Sequence, residues 1–279
     1  MMLKVLAVTG ALLAGTMSAP ASAATGTMSV DGAVTSTATY TAEQLRALGE
    51  SSYPTPGHGS VTGVDLTKIV AAAGPILPPG KNTSLRVTLT VTGSAHRSVT
   101  FALGELDPSF GNHPAVLTTR HDIDLAVPGD RDRSRSVDGV RSVRIAVSAA
   151  GPAERAVRIT TGRRTVTLPV ALLAHLPSRT VTASFGSGTG QQTHTETGPS
   201  LTLVLLVAGI WPRPDTTVVA VGSDGYGAAV TLAEQYPGGR PLLLSTAEDG
   251  VALDLPRLVP LGDVKGGRYV SAVTALDVR

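Results

Sequence analysis

Apolar residues recur at helical spacing in two distant parts of the chain. The two sets follow the i, i+3, i+4, i+7 pattern and consist of Leu66, Ile69, Val70 and Ala73, and of Leu201, Val204, Leu205 and Ala208. That spacing places the apolar side chains on one face of a helix. Asp65 and Ser200 stand at N-cap positions, and Gly74 and Gly209 stand where a helix ends. The sequence therefore predicts one short capped helix in each place.

Two further short helices are predicted from their first turns. Thr41 followed three residues later by Gln44 forms a capping box. Pro169 suits the first turn of a helix in the later part of the chain.

Elsewhere apolar and polar residues alternate, which is the period of a half-buried strand. Alternation is clearest from Leu85 to Val91, and the other predicted strands cover 98–103, 115–119, 140–147, 217–221, 228–232, 241–246 and 270–278. Strands and helices do not alternate regularly, as they would in a doubly wound sheet. The predicted fold class is α+β, strand-rich, with mixed or antiparallel sheets and short helices.

The same order of elements occurs twice. The first predicted capped helix lies in V-D-L-T-K-I-V-A-A-A-G-P and the second in P-S-L-T-L-V-L-L-V-A-G-I-W-P. The repeat is about 120 residues long, which is the size of one domain and too long for a solenoid unit. We predict a tandem duplication, with one copy from 27 to 148, a second from 155 to 279, and a short linker rich in small residues between them.

Residues 1–23 have the features of a secretory signal peptide. Lys4 precedes an apolar run from 5 to 14, and Ala21-Ser22-Ala23 is a small-x-small cleavage site. The apolar run is shorter than the roughly 20 residues that span a bilayer. We expect a secreted, extracytoplasmic protein without a membrane span.

Composition narrows the possible chemistry. The chain has no cysteine, so neither disulfides nor thiolate chemistry are available to it. Its 23 basic and 21 acidic residues nearly balance, and aromatic residues make up 3%. A nucleic-acid partner would need a basic stripe, so none is expected.

Several short motifs resemble a known family. They are G-E-L-D-P-S-F-G-N-H-P at 104–114, V-P-G-D at 127–130 and V-R-S-V-R-I-A-V at 140–147, with S-D-G-Y at 223–226, A-E-D-G at 247–250, P-R-L-V-P at 256–260 and G-G-R-Y-V at 266–270. In this order they resemble the molybdopterin-binding domain of the sulfite oxidase family, in its small secreted bacterial form, in two tandem copies. The resemblance implies that fold, with molybdopterin as a cofactor possible by resemblance alone. The family's enzymes hold molybdenum through a cysteine thiolate, which no position of this chain can supply.

Cationic loops are the leading candidates for ligand binding. Arg131, Arg133 and Arg135 follow Gly129-Asp130, and Lys265 and Arg268 follow Gly262-Asp263. Closely spaced arginines can clamp a phosphate, sulfate or sulfite. The alternative is a solvated loop in which Asp and Arg neutralise each other.

The turn at Asp224-Gly225-Tyr226 is a second candidate for ligand binding. Its backbone and the Tyr226 hydroxyl can face a ligand. The alternative is a hairpin turn, which Asp-Gly favours.

Two other groups of polar residues are interpreted as structural. His113, His121, Asp122 and Asp124 have metal-binding side chains, but neighbouring residues of a strand point in opposite directions, so no metal site is predicted. Glu105 and Glu234 are an acidic pair shared by both copies, and we expect each to accept backbone N–H groups at a turn rather than to act as a general base. The Gly-rich polar segment 184–198 is predicted to be a mobile surface loop.

These observations favour a non-catalytic binding module for a small anionic ligand or a partner protein, with no catalytic residue assigned and no cofactor expected. The alternative is a molybdopterin-dependent oxidoreductase acting on a small anion such as sulfite without the cysteine ligand. An adhesion or assembly protein is also considered, with the helix at 201–208 and Trp211 at an interdomain contact.

Overall fold

A five-stranded sheet and a four-stranded sheet make up each half of the described chain. The computed structural model describes residues 26–55, 59–153 and 156–279, so the predicted signal peptide lies outside the described residues. We call the residues up to 153 the first half and those from 156 the second half.

The helices and strands of the first half are, in chain order, β1 (Thr27–Gly32), β2 (Ala38–Thr41), α1 (Ala42–Ala47), β3 (Ser51–Thr55), β4 (Gly59–Asp65), α2 (Leu66–Ala73), β5 (Val87–Thr92), β6 (Ser98–Ala102), α3 (Leu103–Leu106), β7 (Val116–Thr118), β8 (Asp124–Ala126) and β9 (Ser142–Val147). Short 3-10 turns lie at Thr83–Arg86 and Ser94–His96.

Those of the second half are β10 (Val157–Thr161), β11 (Arg164–Leu168), α4 (Val170–His175), β12 (Ser178–Ser187), β13 (Gly190–Pro199), α5 (Leu201–Val207), β14 (Thr217–Gly222), β15 (Gly227–Thr231), β16 (Leu242–Glu248), β17 (Val251–Pro260) and β18 (Val273–Val278). Here 3-10 turns lie at Leu232–Glu234 and Gly266–Arg268.

The two halves have the same sheet order. The five-stranded sheets run β2-β1-β9-β5-β6 and β11-β10-β18-β14-β15, and the four-stranded sheets run β3-β4-β7-β8 and β12-β13-β16-β17. In the five-stranded sheets β1 pairs with β9, and β10 with β18, in parallel, while the other neighbours run antiparallel. The predicted α+β class with mixed and antiparallel sheets is confirmed, whereas the duplication itself stays a prediction.

The helix ends follow local sequence chemistry, with one difference. Thr41 and Gln44 form the predicted capping box of α1, and the hydroxyl of Ser200 accepts the N–H of Leu203 at the start of α5. Asp65 is the N-cap residue of α2, but its carboxylate accepts the hydroxyls of Ser51 and Tyr53 at 2.6 and 2.7 Å instead of an N–H of the helix. It therefore ties α2 to the β3–β4 hairpin.

The prediction of a mobile loop at 184–198 is wrong. This segment forms the end of β12 and nearly all of β13, two ten-residue strands paired along their whole length. Threonine has a high strand propensity because its branched side chain suits a pleated surface. Cross-strand hydroxyl pairs such as Ser184–Thr193, 3.0 Å apart, join the two strands. The first residue of β13 is Gly190, which has a φ of +109° that favours glycine.

Each half buries its own apolar core. In the first half, α2 and the strands contribute side chains such as Ile69, Leu89 and Phe101, all fully buried. In the second half the corresponding cluster includes Leu205 and Leu276, and Leu85 of the first half also packs into it. Burial of these side chains is the main source of stability, and Leu85 couples the two halves through it.

The halves meet along the edges of their five-stranded sheets. The edge strands β6 and β15 lie against each other, and Ala102 packs with Val219 and Ala229 in a small apolar cluster. Arg86 donates to the carbonyl of Ala150 at 2.7 Å and to the carbonyl of Gly225. Because the contacting strands are equivalent in the two halves, the interface resembles one between two copies of a single subunit.

The hypothesis of an adhesion or assembly protein placed Trp211 at an interdomain contact, and the structure corrects this placement. Trp211 is 82% exposed, whereas the apolar face of α5 packs into the core of the second half. Within the three described stretches of chain, no helix is long and apolar enough to cross a membrane.

Candidate functional site

Glu105 and Glu234 are the buried acidic centres of the two halves. Glu105 lies in α3 directly after β6, and Glu234 lies in the 3-10 turn directly after β15. Both side chains are fully buried. A buried carboxylate is stable only when cations or hydrogen-bond donors surround it, so each glutamate must have partners nearby.

Arginines from the two cationic loops supply these partners. Arg135 donates to Glu105 at 2.7 Å, and Arg268 donates to both oxygens of Glu234 at 3.0 and 2.9 Å. Arg135 is 2% exposed and Arg268 is fully buried. Neither guanidinium is therefore available to an incoming ligand.

An aspartate five residues before each arginine completes the pairing. Asp130 accepts two hydrogen bonds from Arg135 at 2.8 and 2.6 Å, and Asp263 accepts two from Arg268 at 2.8 and 2.6 Å. These fork-like pairs fix the plane of the guanidinium. The Gly-Asp motif that precedes the cations in both halves thus provides the carboxylate that orients the arginine.

A fourth residue contacts the aspartate in each half, and its type differs between the halves. His113 Nε2 lies 2.8 Å from Asp130, and Arg240 donates to Asp263 at 2.5 Å. Both residues are placed by the same backbone bond, since the N–H of His113 and of Arg240 donate to the carbonyls of Glu105 and Glu234. An imidazole in the first half therefore stands where the second half has a guanidinium.

We call these eight residues the buried charge network, and it lies where the halves meet. The backbone N–H of Arg131 donates to the carbonyl of Pro237 at 2.8 Å, and the N–H of Val264 donates to the carbonyl of Phe110 at 2.7 Å. Arg131 and Val264 each follow the network aspartate of their half. The exchange is reciprocal, as in a two-fold symmetric interface.

The two glutamates are not equally compensated. Glu234 accepts Arg268 with both oxygens and also accepts the N–H of Thr231, which confirms for Glu234 the expected acceptor role at a turn. Glu105 accepts Arg135 through Oε1, while its Oε2 has no hydrogen-bond partner in the described part of the chain. Burial raises the pKa of Glu105 to about 7, and the charge of Glu234 adds to this rise while Arg135 opposes it.

The other pKa shifts follow the same contacts. Although burial opposes it, hydrogen bonds from Arg135 and His113 hold the pKa of Asp130 below its ordinary value. Burial raises the pKa of Asp263 despite the attraction of Arg268 and Arg240. The network contains four carboxylates and three guanidiniums. One further proton, on Glu105, makes the net charge of the network zero.

The remaining candidate residues lie in separate places. Arg131 and Arg133 are exposed and line a cleft of about 680 Å³ in the first half, together with Val61, Val127 and Pro128. Lys265 is exposed on the loop before Arg268. The structure thus keeps Arg131 and Arg133 together and places Arg135 and Arg268 in the interior.

The turn at 224–226 forms a second cleft between the halves. Asp224 and Tyr226 line about 500 Å³ together with Lys81 and Arg86. The hydroxyl of Tyr226 donates to the carbonyl of Gly267 at 2.5 Å and accepts from Asn82 at 3.2 Å. Gly225 has a φ of +81°, and the Asp224 carboxylate accepts the N–H of Tyr226, so the segment is a hairpin turn with its tyrosine engaged.

The residues considered for a metal site in the first half do not converge. His113 contacts Asp130, Asp122 accepts the N–H of Ile123, and Asp124 accepts the N–H of Gly139. Across the described stretches, the group of side chains that could share a metal ion is His194, Glu248 and Asp249 in the second half. These three residues have neither helical nor zinc-type spacing in the sequence, because Glu248 and Asp249 are adjacent while His194 lies on a strand 55 residues before Asp249.

Comparisons with known proteins give little further information. No family model matches the chain, and no curated protein matches it. Among solved structures, the chain is similar to the sulfane dehydrogenase SoxCD from Paracoccus pantotrophus, with 17% sequence identity and a TM-score of 0.38. The match covers 48% of this chain and 41% of that chain. A likeness this partial carries no argument about what this chain does.

Proposed function

We propose that this chain is an exported, non-catalytic binding module on a sulfite-oxidase-like scaffold, and that it binds a small anionic ligand in the cleft beside Arg131 and Arg133. The observation that carries the proposal is that the arginines of one loop differ in burial. Arg135 is buried against Glu105 and Asp130, whereas Arg131 and Arg133 remain exposed in the cleft.

Charge and shape of the cleft define the ligand. Asp130, which also borders the cleft, is already paired with Arg135 and His113. Asp132 supplies one exposed carboxylate against the two guanidiniums of Arg131 and Arg133, so these three residues give the cleft an excess of positive charge. Val61, Val127 and Pro128 form an apolar part of the wall. An anion with a small apolar body, such as an organic sulfonate or carboxylate, fits this combination.

The molybdopterin alternative is a poor fit to the residues present. The chain has no cysteine to bind molybdenum. Of the loop arginines, Arg135 and Arg268 are already neutralised by buried carboxylates and cannot grip a pterin phosphate without leaving Glu105 and Glu234 unpaired.

Calorimetric titration with benzenesulfonate, benzenesulfonamide and inorganic sulfate tests the proposal. We expect the sulfonate to bind more tightly than its neutral analogue, and binding to weaken about tenfold in Arg131→Gln or Arg133→Gln, since each change removes one charge-assisted contact. Arg179→Gln is the matched control, because Arg179 is an exposed arginine on β12. Equal binding by all three variants would overturn the proposal.

Metal analysis separates the two functions. The protein is expressed with molybdenum cofactor available and purified for elemental analysis. Stoichiometric molybdenum would replace the binding-module proposal with the oxidoreductase alternative.

A further inference from the structure

Three metal-binding side chains meet at one end of the second half's four-stranded sheet. His194 lies on β13, Glu248 ends β16, and Asp249 begins the turn to β17. His194 Nδ1 lies 3.2 Å from Glu248 Oε1 and 2.9 Å from Asp249 Oδ2. The ligand atoms of all three residues lie within 4.8 Å of one another.

The backbone holds this arrangement in place. Asp249 has a φ of +50° and is followed by Gly250 at +80°, which makes a tight turn between β16 and β17. The N–H of Asp249 donates to the carbonyl of Thr195 at 2.8 Å, and the N–H of Thr195 donates to Asp249 Oδ1 at 2.7 Å. Oδ1 is thus held by the neighbouring strand while Oδ2 faces His194.

The spacing suits a tetrahedral ion. Zinc binds imidazole nitrogen and carboxylate oxygen at about 2.0–2.2 Å, so neighbouring ligand atoms of a tetrahedral site lie about 3.3 Å apart. The two measured separations from His194 Nδ1 are close to this edge length. Three protein ligands leave a fourth position for water or another ligand.

A buried oxygen beside the cluster provides an independent indication. Glu196 is fully buried and is the direct cross-strand neighbour of Glu248. Arg257 Nη1 donates to both glutamates, at 3.1 Å to Glu196 and 2.5 Å to Glu248. Glu196 Oε2 has no hydrogen-bond partner among the described residues. A buried, unpaired carboxylate oxygen is costly unless a cation lies nearby.

The local charge balance also favours a cation. Three carboxylates, those of Glu196, Glu248 and Asp249, surround a single guanidinium, that of Arg257. With a neutral imidazole, the cluster has an excess of negative charge.

We propose that His194, Glu248 and Asp249 bind a divalent transition-metal ion, with Zn²⁺ as the best fit, and that Arg257 and Glu196 orient the ligand Glu248 from behind. The three ligands belong to the second half, whereas the Arg131–Arg133 cleft is built from the first. The site is therefore independent of the proposed anion-binding function.

Calorimetric titration of the full mature chain with ZnCl₂, after removal of any histidine tag, tests this site. We expect saturable binding of about one ion per chain, and at least a tenfold loss of affinity in His194→Ala and in Asp249→Asn, because each removes one of three ligands. His175→Ala is the matched control, since His175 is an exposed histidine at the end of α4. Co²⁺ in place of Zn²⁺ should give the strong visible absorption of tetrahedral coordination.

Folding is checked by circular dichroism of each variant. Asp249→Asn keeps the shape of the side chain and its turn, so it reports on coordination if His194→Ala alters the hairpin. Two outcomes would overturn the proposal: absence of saturable binding in the wild type, or binding that is unchanged in both ligand variants while the control behaves like the wild type.

Discussion

The side chain of Arg268 in the second half crosses directly over Gly104 in the first. A Cβ atom at position 104 would lie 2.6 Å from Cδ of Arg268 and 2.8 Å from Cδ2 of Leu85. The glycine lies next to Glu105, so the same short segment supplies both a buried carboxylate and the space for a buried arginine of the other half. The contact between the halves therefore depends on the absence of a side chain at this position.

Gly104→Ala should destabilise the protein by about 1–3 kcal/mol, the usual cost of forcing extra volume into a packed interior. Arg268 cannot simply move away, because its four hydrogen bonds to Glu234 and Asp263 would be disturbed. Chemical denaturation measures the free energy of unfolding. Gly188→Ala is the control, since a Cβ there would meet nothing within 4 Å in the described structure. Equal effects of the two substitutions would contradict the packing argument.

Glu234→Gln should cost more than Glu105→Gln at neutral pH. Glu234 receives three hydrogen bonds from Arg268 and Thr231, whereas Glu105 receives one from Arg135. Removing one partner of a fully compensated buried ion pair costs about 3–5 kcal/mol. Denaturation of the two variants side by side gives the comparison. A larger loss of unfolding free energy in Glu105→Gln would show that the number of hydrogen bonds does not determine which glutamate contributes more to stability.

Stability should fall as the pH rises from about 4.5 toward about 7. Burial raises the pKa of Glu105 from 4.5 to about 7, so within this range the folded protein holds a proton that the unfolded chain has released. The side chain of Asp130 acts in the opposite sense, since its lowered pKa stabilises the fold above its ordinary value of 3.8 and that contribution is lost in stronger acid. Maximal stability is expected in mildly acidic solution.

Unfolding free energies measured at about pH 5, 6, 7 and 8 test this dependence. In Glu105→Gln the decrease between about pH 5 and 7 should become smaller, because the neutral amide has no proton to release. An unchanged dependence of the unfolding free energy on pH in this variant would contradict the assignment of the effect to Glu105.

The two N-cap residues should respond differently to substitution. Ser200→Ala should cost about 1 kcal/mol, since it removes the hydroxyl that accepts the N–H of Leu203. Asp65→Ser keeps an N-capping side chain but removes the acceptor for Ser51 and Tyr53, so it should also destabilise the protein. Thermal unfolding of both variants provides the measurement. If Asp65→Ser left the stability to heat unchanged, the hydrogen bonds from Ser51 and Tyr53 to Asp65 would not contribute to stability, and only the capping of the helix would matter.

Local patterns in the sequence determined the elements that depend on neighbours in the chain. The spacing of Leu66, Ile69 and Val70 predicts α2, and Thr41 with Gln44 predicts the capping box of α1, because these interactions span three to seven residues. Local patterns predicted the wrong structure at 184–198, where the polar, glycine-containing sequence suggested a loop. Pairing along ten residues of β12 and β13 makes this segment a hairpin.

The sequence also singled out the two Gly-Asp loops and the pair Glu105 and Glu234, but not their relation to each other. Arg135 and Glu105 are 30 residues apart, and Arg268 and Glu234 are 34 apart. A charge run looks the same in the sequence whether it is solvated or buried. The tertiary structure decided that Arg135 and Arg268 pair with buried carboxylates while Arg131 and Arg133 remain exposed, because desolvation and ion pairing depend on what packs around a charge and not on which residues precede it.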